Sequence, residues 1–83
     1  MMNVKIDSLR GILFESTAES LTAETKAGEI TVLPGHRSLI TSLKPGILKI
    51  IDSNSEEKFF EVKSGFLEVK KIKEKTFLTI LID

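Results

Sequence analysis

His36 and Ser38 come nearest, by type and spacing, to catalytic chemistry in this chain. A serine becomes a nucleophile only when a base is held beside it to take its proton. His36 is the one imidazole present, and there is no cysteine. Two residues apart on an extended strand, the two side chains would point to the same side. No carboxylate is marked out by position to orient such a base, so a hydrolytic pair is not expected. A metal at His36 would need carboxylates for its other ligands, because no zinc-type spacing of His and Cys occurs. No Gly-x-x-x-x-Gly-Lys-Ser/Thr phosphate loop occurs either. Phe59-Phe60 could stack on bases in an oligonucleotide-binding barrel. Yet 12 basic and 12 acidic residues leave no net charge to displace counterions from nucleic acid. Phe59 and Phe60 are expected instead to divide between surface and core. The residues point to a non-catalytic module with no cofactor, no metal and no nucleic-acid partner.

The elements that carry these residues read as short strands. Val4 and Ile6 alternate with Lys5 and Asp7, Phe60 and Val62 with Glu61 and Lys63, and Leu67 and Val69 with Glu68 and Lys70. A period of two sends apolar side chains to one face and polar ones to the other. Segments 47–51 and 77–82 are more continuously apolar, which suggests strands covered on both faces or on an inner edge. Turn signals recur at Gly11, Gly28, Pro34-Gly35, Pro45-Gly46, Asp52-Ser53-Asn54-Ser55 and Ser64-Gly65. Short strands at that spacing indicate an antiparallel β-sandwich of about nine to ten short strands. They are expected near 3–8, 11–15, 18–25, 29–33, 38–42, 46–52, 57–63, 65–71 and 75–82. Residues 18–25 could also form a short helix, but the surrounding β pattern favours a strand. Both prolines sit in Pro-Gly pairs, Pro34-Gly35 and Pro45-Gly46. Each pair is expected to form a type II turn, with proline presetting φ at the second position and glycine taking positive φ at the third.

With 83 residues the chain fits one small domain of modest stability. The longest apolar stretch, 77–82, is interrupted by Thr79 and is too short to span a bilayer as a helix. Met1-Met2-Asn3-Val4-Lys5 has neither a signal-peptide core nor an Arg-rich transit pattern, so a cytoplasmic protein is expected. The one charge cluster is Lys70-Lys71, Lys73 and Lys75, broken by Glu74 and read as a solvated hairpin tip.

A longer block is more specific. Ala27-Gly28-Glu29-Ile30-Thr31-Val32-Leu33-Pro34-Gly35-His36-Arg37-Ser38-Leu39-Ile40-Thr41-Ser42-Leu43-Lys44-Pro45-Gly46-Ile47-Leu48-Lys49-Ile50 resembles the N-terminal domain of the ε subunit of F-type ATP synthases, the δ subunit of mitochondria. The shared pattern is a Gly-Glu turn, an apolar strand into Leu-Pro-Gly-His, two apolar residues and Thr, then Lys-Pro-Gly. A second block, Phe60-Glu61-Val62-Lys63-Ser64-Gly65-Phe66-Leu67-Glu68-Val69, is similar to the family's strand, turn and Phe-Leu-Glu-Val. Gly11-Ile12-Leu13-Phe14 stands where the family has its second strand. The resemblance covers all 83 residues.

It implies a flattened ten-strand sandwich and a place in the rotor. There the domain would sit at the foot of the γ subunit and rest on the c-subunit ring. It would couple ring rotation to the catalytic head without being catalytic, on the cytoplasmic face of the bacterial inner membrane. The family's C-terminal helical hairpin lies outside these 83 residues. The resemblance implies that Glu29 faces the c ring and that Ser8, His36 and Thr41 face γ. Gly28, Pro34, Gly35, Pro45, Gly46 and Gly65 are implied to shape the backbone. Ser64-Gly65 replaces the common Gly-Gly, Arg37 replaces a small residue, and the hairpin from Lys70 to Lys75 lacks the usual turn residues. The alternative from the residues alone is a free-standing β-barrel module that binds an oligonucleotide or a peptide.

Overall fold

Alternation becomes a burial pattern at the first strand: Met2, Val4 and Ile6 are buried while Asn3 between them is exposed. The computed structural model describes residues 1–83. It contains eight strands: β1 (Met2–Ser8), β2 (Gly11–Thr25), β3 (Gly28–Val32), β4 (Leu39–Leu43), β5 (Gly46–Asp52), β6 (Glu57–Val62), β7 (Gly65–Ile72) and β8 (Lys75–Ile82). There is no helix, and 18–25 is strand as expected. The count is eight rather than nine or ten because 11–15 and 18–25 form one strand of 15 residues. Ser16-Thr17 carries no Gly or Pro to part them. A register shift between Ala18 and Ser20 re-aims the strand instead, as β-bulges do.

That long strand joins two layers. Its first half pairs with β1, from Met2↔Ala18 to Ser8↔Gly11. Its second half pairs with β3 on one side and β5 on the other. One layer therefore runs β4-β7-β8-β1-β2 and the other β3-β2-β5-β6. The pairing is not wholly antiparallel: β1 and β8 run parallel, Asn3↔Phe77 through Asp7↔Leu81. Parallel neighbours need a long crossover, and here the chain between the first and last strands supplies it.

The space between the layers holds a core of 16 buried apolar residues, among them Ile6, Leu21, Val32, Leu48, Ile50, Leu67 and Ile80. Phe14 and Phe60 pack against it edge to face, with ring centroids 6.2 Å apart. Phe59 is exposed, so the Phe59-Phe60 pair divides as expected. The three buried polar residues are all hydrogen-bonded. The Thr25 hydroxyl donates to the Gly28 carbonyl at 2.7 Å. Asp52 Oδ1 accepts from the N–H groups of Asn54 and Glu56. Thr76 Oγ1 accepts from the Gly35 N–H at 2.8 Å, tying the β3–β4 loop to the start of β8.

The two Pro-Gly pairs differ. At Leu33-Pro34-Gly35-His36 the His36 N–H donates to the Leu33 carbonyl at 3.0 Å, and Gly35 has φ of 88°. This is the expected type II turn. Pro45-Gly46 is not: Gly46 has no positive φ and opens β5. What glycine provides there is room, since a Cβ would stand 3.2 Å from Glu24 Cγ. Gly65 likewise needs no positive φ, nor does Ser64. A Cβ at Gly65 would overlap the Leu81 carbonyl oxygen of β8. Segments 47–51 and 77–82 are not covered on both faces, because Ile47 and Leu81 are exposed.

Candidate functional site

No hydrogen bond joins His36 to Ser38; each side chain is bonded elsewhere. His36 Nδ1 lies 2.7 Å from the Arg37 carbonyl, which fixes Nδ1 as the protonated nitrogen because a carbonyl only accepts. The Ser38 hydroxyl accepts from the Lys71 N–H at 2.9 Å. No group of three or more His, Cys, Asp or Glu side chains is placed to hold a metal.

The four candidate contact residues lie at different places. Glu29 is exposed on β3 and stands directly opposite Glu24 of β2. Like charges facing across a ladder oppose pairing, so Glu29 gives the fold no electrostatic support. Ser8 ends β1; its hydroxyl donates to the Gly11 carbonyl and accepts from the Arg10 N–H, both at 3.1 Å. It shapes the β1–β2 turn. His36 is half-buried in the β3–β4 loop at the other end of the sandwich. Thr41 lies midway on β4, opposite the buried Leu67, so its half-buried side chain is on the inner side.

Apart from these residues, the outer face of the first layer carries a surface that alternation alone does not mark, and Thr41 is turned away from it. Phe66 of β7 stands directly opposite Leu81 of β8 on the outer face of the first layer. Asp7, beside Ser8, is opposite Leu81 from the other side. Ser42 is opposite Phe66, and Ile40 lies two residues further along β4. Phe66, Leu81 and Ile40 are 57%, 52% and 72% exposed. Contiguous exposed apolar side chains rimmed by polar ones mark interaction surfaces, whereas scattered ones do not. Their trace in the sequence was the surplus of apolar residues over period two in 77–82, and Phe66 beside Gly65.

Two carboxyls hold turns. Amide donation from Glu56 pulls the Asp52 carboxyl below its usual range against burial, with help from Asn54 and Lys58. Burial pushes the Asp83 carboxyl up, but donation from the N–H groups of Lys63, Ser64 and Asp83 itself, with the Lys63 charge, leaves it lowered.

A family model for the ATP synthase, delta/epsilon chain, β-sandwich domain matches residues 1–83. The chain belongs to this family. It is 39% identical over 82 residues to the ATP synthase epsilon chain of Hydrogenovibrio crunogenus, covering 99% of this chain and 54% of that protein. The epsilon chain of Psychrobacter arcticus is also 39% identical over 82 residues, with 56% of that protein covered. The chain thus spans about half the length of these curated relatives. The fold matches a chain of the Euglena gracilis mitochondrial ATP synthase (OSCP/F1/c-ring, rotational state 1) at TM-score 0.81 and 20% identity, covering 94% of this chain and 49% of that one. A chain of the Tetrahymena thermophila mitochondrial ATP synthase central stalk/c-ring matches at TM-score 0.71 and 21% identity, covering 96% and 63%. These matches do not support the alternative of an oligonucleotide- or peptide-binding barrel.

Proposed function

We propose that this chain is a non-catalytic central-stalk subunit of a proton-translocating F-type ATP synthase, docking on γ and on the c ring to couple rotation to ATP synthesis. It would work at the cytoplasmic face of a bacterial inner membrane, peripheral to it. Family membership across all 83 residues sets the class. The observation that carries the docking role is the Ile40-Phe66-Leu81 surface, which folding does not require and a protein partner would cover.

In this reading γ lies along the outer face of the β4-β7-β8-β1 layer. Ser8 and His36 border that face at its two ends, whereas Thr41, turned to the inner side of β4, is not part of it. The apolar residues between Ser8 and His36 give γ the desolvated centre that interface hot spots favour. Glu29, exposed and unsupported by its neighbour Glu24, is free to face the c ring. The test is co-purification with γ: a stoichiometric complex is expected. A folded chain that passes γ without binding would overturn the reading.

A further inference from the structure

Two segments far apart in the sequence, the β3–β4 loop and the β7–β8 hairpin, are tied together at one end of the sandwich. The Gly35 N–H donates to Thr76 Oγ1 at 2.8 Å, and the Lys71 N–H donates to Ser38 Oγ at 2.9 Å. Arg37 thereby joins Lys70, Lys71, Lys73 and Lys75 on one tip. All of them are exposed, and none is in an ion pair. The carboxylates among them are Glu68 and Glu74, so this tip is net positive in a chain of zero net charge. The other acidic residues of this end gather in the second layer, at the β5–β6 turn. There Asp52 pairs with Lys58 at 3.7 Å and Glu57 with Lys49 at 3.6 Å. Glu19 accepts from the Ser55 hydroxyl at 3.1 Å, and Glu56 follows in the chain.

The tip is also built against backbone preference. Ile72 is paired with Lys75, so Lys73-Glu74 is a two-residue hairpin loop, and Lys73 has φ of 56°. Glycine or asparagine suits that first position best, because a side chain there crowds the backbone. A lysine stands where glycine would fold more easily, and its ammonium gains no ion pair in return. The tip is continuous with the Ile40-Phe66-Leu81 surface. Glu68 lies directly opposite Ile40, and Lys70 is two residues further along β7 on the same outer side. Ile72 follows at the same period, 50% exposed. The outer face therefore runs from an apolar end at Phe66 and Leu81 to a basic end at Lys70, Lys73 and Lys75.

We propose that this basic tip guides γ onto the outer face by attracting an acidic segment of γ. The inference rests on the docking reading above and adds the chemistry of the partner's matching surface. That surface is apolar where it meets Phe66 and Leu81, and acidic where it meets the hairpin. Charge at the rim of an interface speeds encounter and fixes register, while a desolvated apolar centre holds the complex once formed. The unlike ends also set the direction of docking. Turned end for end, γ would bring its acidic segment to the far end, where Asp7 lies opposite Leu81. Glu29 is at the end away from the hairpin, so in this reading the cations point away from the c ring and the membrane, toward protein.

The experiment is stopped-flow association of the chain with purified γ over a range of salt, with dissociation followed separately. The on-rate should fall steadily as salt screens the tip. The Lys70→Ala, Lys73→Ala, Lys75→Ala triple variant should lower the low-salt on-rate about tenfold and change the off-rate by less than about twofold. Lys73→Gly alone should also associate more slowly, yet melt no lower than the parent, because glycine accepts the φ of 56°. That pairing separates a docking role from a structural one. The Lys26→Ala, Lys44→Ala double variant, on turns at the opposite end, should leave both rates unchanged. Three results would overturn the proposal: a triple variant that associates like the parent, an equal loss from the opposite-end variant, or lysine-dependent retention on phosphatidylglycerol vesicles with γ association unaltered. Binding of γ at a rate blind to salt and to the hairpin would remove this inference and leave docking standing. No binding of γ by the parent chain would remove the docking reading and this inference with it.

Discussion

The two outer faces of the sandwich arise from the same alternation and end with different chemistry. On the β3-β2-β5-β6 layer the exposed Ile47 and Phe59 each stand opposite a charge, Ile47 to Glu61 and Phe59 to Lys49. Lys49 is in turn paired with Glu57 at 3.6 Å, and Thr22 bonds Thr31 at 3.0 Å. On the β4-β7-β8-β1 layer Phe66 and Leu81 oppose each other directly, with Ile40 near them. Burial fixes what the inner faces must be. It leaves the outer faces free, so a contiguous apolar outer face is one that folding does not require.

The largest expected effect separates the layers through two glycines. Gly65→Ala would force Cβ into the Leu81 carbonyl oxygen, a backbone atom that has nowhere to go. It should cost about 3 kcal/mol, at the upper end for overpacking. Gly46→Ala meets only the flexible Glu24 side chain, and should stay within about 0.5 kcal/mol of the parent. Denaturant unfolding checks both. Equal costs would mean that β7 and β8 are not held as closely as described.

Phe66→Ser should weaken γ binding by more than about 1 kcal/mol, as truncated anchors do. Phe59→Ser, equally exposed on the other face, should not, and titration calorimetry with γ compares the two. Acid should act on both layers. The Asp52 and Asp83 carboxyls are lowered by folding. Their contribution is therefore present above the unfolded value near 3.8 and lost as pH falls through the lower folded value. Melting temperature should fall below about pH 4, and Asp52→Asn should flatten that fall. A parent and variant with the same acid profile would remove Asp52 from the account. The smallest effect is at the candidate contacts. Glu29→Ala and His36→Ala should change stability by less than about 0.5 kcal/mol, while Glu29→Ala weakens c-ring docking and His36→Ala weakens γ docking. If His36→Ala melts far lower yet its folded fraction binds γ normally, His36 is a structural histidine.

Much of this fold was legible in the residues. Alternation gave the inner faces of β1, β6 and β7, and the Pro34-Gly35 turn has the expected geometry. The Pro45-Gly46 turn was misread because glycine has two uses, positive φ and missing bulk, and sequence does not tell them apart. The break expected at Ser16-Thr17 is absent; the strand is re-aimed instead by a register shift between Ala18 and Ser20, which leaves no Gly or Pro signal. The β1–β8 parallel pairing joins residues more than seventy apart, beyond the reach of local pattern. Of the site, Ser8, Glu29, His36 and Thr41 came from resemblance. The Ile40-Phe66-Leu81 surface needed the register, because those residues meet only across three strands.

The most direct measurement is methyl NMR of the chain with and without γ. The account expects the Ile40 and Leu81 methyl signals to shift on binding while Ile47 stays in place. Shifts at Ile47, with Ile40 and Leu81 unmoved, would put γ on the other face and contradict it.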